Sequence, residues 1–252
     1  MSTERDIALV TGANRGIGRG VAEQLAERGM TVLVGARDVQ RGEAIAKEMR
    51  ATGADVYALR LDVTDQSAVH AAARWIDERF GHLDVLVNNA GISGSGPVNP
   101  ADAHDQVPSS VDVDMVRAVF ETNVLGVIRV TNAMIPLLRR AKAGRIVNVS
   151  SHGGSVTLNS DLAGPMAGLL PSAAYLPSKS ALNALTVQYA KELRADGIVV
   201  NAVAPGFVAT DSNNHTGVLT VAQGADVVVQ SATRQATSPT AAFLSADGPV
   251  PW

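Results

Sequence analysis

The chain has no cysteine, which excludes disulfides, thiolate catalysis and cysteine-ligated metals. It also lacks a strong charge of either sign. A net charge of −3 over 252 residues leaves no electrostatic footprint for nucleic acid, and no basic run points to a membrane surface. Histidines stand at 70, 82, 104, 152 and 215, without a metal-binding spacing such as His-x-x-x-His, so no metal is expected. No apolar stretch approaches the length of a membrane span, and Met1 to Asp6 is polar rather than signal-like. These absences lead to the expectation of a soluble, cytoplasmic protein that binds neither nucleic acid nor membrane.

What the chain does have is a repeated alternation of strand-like and helix-like segments. Ile7 to Val10, Thr31 to Ala36, Val56 to Leu61, Leu83 to Asn88, Arg145 to Val149, Ile198 to Val203 and Ala241 to Leu244 read as strands. Helices are expected at Gly16 to Arg28, from Asp38 to Met49, at Ser67 to Phe80, and along Val113 to Ala141 with a bend near Gly126 and Pro136. A further helix carries Lys179 on to Leu193. Strands apolar on both faces, separated by helices, specify an α/β fold: one doubly wound, Rossmann-type parallel sheet of about seven strands, with helices on both faces. No linker divides residues 1–252, so a single domain is expected. Gly91 to Asp112 interrupts the rhythm with Gly, Ser, Pro and Asn and marks a long loop, and residues 205–235 read as an irregular substrate loop.

Gly12, Asn14, Arg15, Gly16, Ile17 and Gly18 lie directly between the first strand and the first helix. Glycines there permit a tight turn and close approach of backbone to a pyrophosphate, while the helix N-terminus offers free N–H groups and a positive dipole end. A dinucleotide site is therefore expected here. A carboxylate at the end of the second strand binds the ribose 2′-hydroxyl of NAD, whereas arginine accommodates a 2′-phosphate. Here the strand ends in Arg37, with Arg15 nearby and Asp38 read as a helix cap, so NADP(H) is preferred over NAD(H). Asp62 either hydrogen-bonds the adenine or caps a turn with Thr64.

Tyr175 and Lys179 are four apart and share a helix face. A phenol titrates near pH 10, and a neighbouring ammonium is expected to lower that value by stabilising the phenolate. A shift of three units requires about 4 kcal/mol, which needs a partly desolvated pair. Pro177 is comfortable only in a first helical turn, so the helix is expected to begin near Ala174 or Tyr175.

Together, Thr11-Gly12-x-x-x-Gly16-x-Gly18, Asn88-Asn89-Ala90-Gly91, Asn123, Ser151, Tyr175-x-x-x-Lys179 and Pro205-Gly206 resemble the short-chain dehydrogenases/reductases, over Ile7 to about Thr210. The resemblance implies that Tyr175 is the general acid in carbonyl reduction and the base in alcohol oxidation. Lys179 would lower its pKa and hold the nicotinamide ribose, and Ser151 would hydrogen-bond the substrate oxygen. Asn123 would anchor a water linking Lys179 to solvent. The implied cofactor contacts extend to Asp62, Val63, Asn89, Ala90, Gly91, Pro205, Gly206, Val208 and Thr210. Alternation along a strand lets only one of Ser150 and Ser151 face the cleft, and the family's habit of placing glycine shortly after the active serine favours Ser151. A Ser–His triad through His152 lacks a carboxylate to orient it.

The interval from Ser151 to Tyr175 is longer than is common in the family. Similar lengthening occurs in carbonyl reductase-like members, where the added structure can obstruct the usual oligomer contact, so a monomer or small homo-oligomer is expected. Ile92, Leu158, Leu169, Leu170 and Val208 are candidates to line the cleft. The leading expectation is an NADPH-dependent carbonyl reductase, reversible to an alcohol dehydrogenase. The alternatives are an NAD-dependent sugar or polyol dehydrogenase and a non-catalytic dinucleotide sensor. The ending Pro249-Val250-Pro251-Trp252 carries no recognisable chemistry.

Overall fold

The structure is a computed structural model that describes residues 5–94, 96, 103–234 and 239–252. Residues 95 and 97–102 of the expected long loop, the polar Met1–Glu4 and the end of the expected substrate loop at Gln235 lie outside the described residues.

The strands form where runs of apolar residues can be buried on both faces. Strand β1 (Ile7–Thr11) is buried throughout. Its alternate side chains go to opposite sides: Ala8 and Val10 to one core, Ile7 and Leu9 to the other. Strands β2 (Thr31–Ala36), β3 (Val56–Arg60), β4 (Val85–Asn88), β5 (Arg145–Val149), β6 (Val199–Val203), β7 (Phe243–Ser245) and β8 (Gly248–Pro249) complete the sheet in the order β3-β2-β1-β4-β5-β6-β7-β8. The first seven pair in parallel, as the alternating sequence pattern requires. The eighth, two residues long, turns back antiparallel on β7.

Helices α1 (Gly16–Glu27), α2 (Val39–Arg50) and α8 (Val221–Ala232) cover the face holding Ala8 and Val10. Helices α3 (Gln66–Phe80), α5 (Gly126–Leu138) and α7 (Tyr175–Glu192) cover the other. Side-chain carboxylates start two of them: Asp38 accepts from Gln40 N and Arg41 N, and Asp65 from Ser67 N and Ala68 N.

The expected long helix is present in three parts: α4 (Val113–Phe120), a π-turn over Glu121–Leu125, and α5. The departure from α geometry falls just before Gly126, where a Cβ would come within 2.8 Å of Val63 Cγ2. Pro136 sits in the last turn of α5 and does not end it.

The order places the topological switch point between β1 and β4, so the turns following these strands open onto one crevice at the carboxyl edge. Among the described residues no helix is long and apolar enough to cross a membrane.

Candidate active site

The turn after β1 needs its glycines. Gly12 and Gly16 have φ of +63° and +55°, a region costly for other residues. At Gly18 a Cβ would lie 2.3 Å from Asn89 Nδ2 and 2.6 Å from Gly12 O. That crowding exists because Asn89 donates to Thr11 O (2.9 Å) and Gly12 O (3.2 Å), fastening the turn to the end of β4. Thr11 Oγ1 accepts from Asn89 N and Ala90 N on the same seam.

Helix α1 differs from α2 and α3 in that its N-cap, Arg15, makes no side-chain cap hydrogen bond. The cradle therefore fits a dinucleotide pyrophosphate: backbone approach is open, and the first N–H groups of α1 are left for an anion. Thr210 lies against it, with Cγ2 3.5 Å from where a Cβ on Gly16 would be.

At the end of β2 the side chain of Arg37 is exposed and has no ion-pair partner among the described residues. Asp38 caps α2 and also pairs with Arg41 Nε at 3.2 Å. Arg15 pairs with Asp211 at 3.5 Å, both exposed. Asp62 Oδ1 accepts from Thr64 N and Thr64 Oγ1, so the turn-capping role is present in the protein itself.

At the opposite end of the crevice, α7 begins at Tyr175, and Pro177 falls in its first turn, where a proline is tolerated. Gly153 and Gly154, in the turn after β5, let that turn lie directly on α7. A Cβ on Gly153 would come within 2.4 Å of Leu176 Cδ2, and one on Gly154 within 3.0 Å of Lys179. This contact brings Ser151 beside Tyr175, and Ser151 Oγ accepts from Gly153 N at 3.2 Å. Ser150 turns the other way, donating to Asn183 Oδ1 at 2.6 Å in a buried contact.

Lys179 is 5% exposed, and its Nζ donates to Val149 O at 2.8 Å while standing 5.7 Å from the centroid of the Tyr175 ring. Burial brings its pKa down to about 8. Burial also pushes the Tyr175 phenol above its ordinary value, against a smaller lowering by the neighbouring Ser151 side chain. The expected lowering by Lys179 is not among the causes of this shift: desolvation of the phenolate dominates, and burial disfavours the ammonium itself. A phenol so placed is protonated at neutral pH.

Asn123 lies in the π-turn, where such turns often serve function. Its side chain accepts from Ile92 N, donates to Ile92 O (both 2.9 Å), and donates to Ser178 Oγ at 3.0 Å. Ser178 in turn donates to Tyr175 O at 2.7 Å. Asn123 thus clamps the strand exit at Ile92 to the first turn of α7. Sequence reasoning missed Ser178, although a small polar residue before Lys179 on a buried helix face is a legible signal. Gly91 reaches the same place: a Cβ there would lie 3.2 Å from Asn123 Oδ1 and 3.6 Å from Lys179 Nζ.

Asn88 is not in the cleft. It is 3% exposed and donates to Thr131 Oγ1 and Asn148 Oδ1, bolting β4 to α5 and β5.

Several other expected site residues turn their side chains into the core. The Val208 side chain is buried, packed where a Cβ on Gly224 would come within 2.3 Å of its Cγ2, so it faces the protein interior. Val63 is likewise buried, against Gly126. Ile17 is half-buried and packs against the core on the α1 side. Leu158, in the short helix α6 (Val156–Ser160), packs on Ala202, Ala204, Phe243 and Val250.

The segment 205–235 is a loop only as far as Thr220; beyond it α8 packs on α1, with Val227, Val228 and Val229 buried. Pro205 and Gly206 (φ +85°) form the turn after β6, at the same edge as Thr210. The final residues also have a place: Trp252 stacks on Phe243 at 5.5 Å, and its carbonyl accepts from Thr157 N.

Comparison with known proteins agrees with this geometry. Residues 6–218 match the profile of the family described as short chain dehydrogenase. The chain is 36% identical over 234 residues to the short-chain dehydrogenase anuI of Penicillium roqueforti, covering 91% of this chain and 89% of that one. It is 38% identical over 205 residues to the 3-oxoacyl-(acyl-carrier-protein) reductase FabG of Staphylococcus aureus, covering 81% and 75% respectively. The structure of salutaridine reductase from Papaver somniferum superposes with a TM-score of 0.81 at 29% identity, over 95% of this chain and 99% of that one.

Proposed function

Because this chain belongs to the short chain dehydrogenase family of oxidoreductases, we propose that it is an NADPH-dependent reductase of uncharged ketones or aldehydes. The observation that carries this reading is the placement of Ser151 and the buried Lys179 beside Tyr175, with Lys179 Nζ 5.7 Å from the centroid of the phenol ring. A nicotinamide cofactor, when bound, supplies the hydride to the carbonyl carbon. The residues then handle the oxygen. Ser151 Oγ hydrogen-bonds it as negative charge develops. Tyr175, protonated at neutral pH, gives its proton to the same oxygen, and the product is the alcohol. Lys179 offsets the charge of the phenolate left behind. In reverse, the phenolate takes the proton back.

Gly12, Gly16, Gly18 and the first N–H groups of α1 would hold the pyrophosphate, and Asn89, Ala90 and Gly91 would border the nicotinamide half. The preference for NADPH is supported by Arg37, exposed and unpaired among the described residues, and by Asp38, whose carboxylate is engaged in capping α2. An uncharged substrate is supported by apolar surface on two segments near the crevice: Leu162 and Leu169 from the stretch before Tyr175, Phe207 and Val218 from the loop after β6. The reductive direction is supported by two relatives whose names are reductases.

The test is oxidation of NADPH against a panel of ketones, aldehydes, quinones and keto-sugars, repeated with NADH. The expected result is turnover of an uncharged ketone or aldehyde with NADPH favoured at least about tenfold in kcat/KM, a difference of about 1.4 kcal/mol. Turnover confined to NADH and polyol oxidation would overturn the reading.

A further inference from the structure

We propose that Gln106 is a positioning residue for Tyr175: its side-chain amide fixes the first turn of α7 to the loop that follows β4. The proposal rests on the reading of Tyr175 as the proton donor. Helix α7 begins with a capping problem. Its N-cap is Ala174, which has no side chain able to accept from the first N–H groups. That duty falls to two residues from outside the helix. Ser172 Oγ accepts from Tyr175 N at 3.0 Å and from Ala174 N at 3.1 Å. Gln106 Oε1 accepts from Tyr175 N at 3.3 Å and from Ser172 Oγ at 2.7 Å, which uses both of its lone pairs.

The other end of the amide is committed to a different segment. Gln106 Nε2 donates to Ser93 O at 2.6 Å. Its main-chain oxygen accepts from Ala173 N at 2.9 Å. The loop runs so near that a Cβ on Gly94 would lie 2.8 Å from Nε2, at a φ of +149°. Gln106 is 3% exposed. A buried amide is costly unless paired, so one with three side-chain partners on two segments locks both in place.

The consequence follows from where Tyr175 sits. As the first residue of its helix it is held from the amino side, among the described residues, by Ser172 and Gln106, while Asn123 and Ser178 hold it from the carboxyl side. Loosening the amino side lets the first turn rotate, and the phenol then moves away from Ser151. A displacement of about 1 Å costs on the order of 100-fold in rate. The two ends of the amide separate the two roles: Oε1 aims Tyr175, and Nε2 anchors the loop bordering the cleft.

The experiment uses the full chain with Gln106→Met, which keeps length and removes both polar ends, and Gln106→Glu, which keeps the acceptors and loses the donor. With three tyrosines in the chain, spectrophotometric titration of each protein minus its Tyr175→Phe counterpart reads the Tyr175 phenol directly and needs no substrate. Activity is read as NADPH-dependent reduction of diacetyl, and NADPH affinity by fluorescence. Gln106→Met is expected to lower kcat by about 10- to 100-fold with NADPH affinity unchanged, and to move the phenol titration from its raised position toward pH 10. Gln106→Glu is expected to recover most of kcat while altering KM for diacetyl.

A folded Gln106→Met protein whose Tyr175 titration overlays the wild type would overturn the proposal, as would failure of a folded Gln106→Glu protein to recover kcat. If Gln106→Met does not fold, Ser172→Ala removes a partner of the same N–H and is read identically. Should the wild type not reduce diacetyl, or Tyr175→Phe retain the rate, the reductase reading fails on that substrate, while the titration still decides whether Gln106 aims the phenol.

Discussion

Lys179 Nζ donates to the main-chain oxygen of Val149 at 2.8 Å, across the gap between α7 and the end of β5. The bond holds an ammonium where water scarcely reaches it. Burial lowers its pKa from 10.5 to about 8. A base with a depressed folded pKa binds fewer protons folded than unfolded between those two values, so stability rises with pH across that window. Below about pH 8 the full penalty is present, on the order of 3 kcal/mol.

Lys179→Met should therefore be more stable than the wild type at pH 7, by up to about 3 kcal/mol, with the difference shrinking as the pH approaches 10. The same variant should lose turnover, a stability–function exchange typical of buried functional groups. Urea denaturation at several pH values measures this. A less stable Lys179→Met protein at pH 7 would contradict the burial argument.

Ser150 and Ser151 are neighbours with different duties. Ser151→Ala should lower kcat by about 100- to 1,000-fold, as loss of an oxyanion donor does, with little effect on folding. Ser150→Ala strands the buried Asn183 Oδ1, and should cost about 1–3 kcal/mol in stability with kcat preserved. Steady-state kinetics and denaturation of the two variants separate the roles.

Arg37→Asp should reverse cofactor choice. Removing the exposed cation and adding a carboxylate at the end of β2 should raise KM for NADPH by about tenfold or more and lower KM for NADH. KM for each cofactor, measured with one carbonyl substrate, is the check. An unchanged ratio would remove Arg37 from the cofactor site.

Gly18→Ala should damage the cradle. The added methyl meets Asn89 Nδ2 and the Gly12 carbonyl oxygen well inside contact distance, so either the seam between β1 and β4 opens or α1 shifts. A loss of about 1–3 kcal/mol in stability is expected, together with loss of NADPH binding by fluorescence titration.

The layered sheet was legible because each strand is a short apolar run and the helices between them show apolar residues at helical spacing, with Asp38 a clear cap for α2. Pro177 alone fixed where α7 begins. The bend in the long helix was placed near Gly126 because glycine marks a kink; its cause, the π-turn around Asn123, has no composition signal. Helix α8 was not legible: Asn213, Asn214 and Gly217 suit a loop, and the β-branched run Val227-Val228-Val229 has weak helix propensity. Burial on α1 overrides that propensity, and the Thr220–Gln223 capping box is the signal that could have revealed it.

In the site, Ser151, Tyr175 and Lys179 were legible from motif order, and the structure brings them together. The direction of the Tyr175 shift was not, because it depends on how much water the closed first turn of α7 excludes. Gln106 was hidden for another reason: it lies in a loop rich in Gly, Pro and Asn, and its three partners are distant in sequence.

The most direct measurement is the rate of NADPH-dependent ketone reduction by Tyr175→Phe, beside its affinity for NADPH. The phenyl ring keeps the packing of the first turn and removes only the proton donor. The predicted result is a fall in kcat of at least about 100-fold, the contribution of a general acid, with NADPH binding unchanged. A Tyr175→Phe protein that reduces the ketone within a few-fold of the wild-type rate would contradict the role assigned to Tyr175.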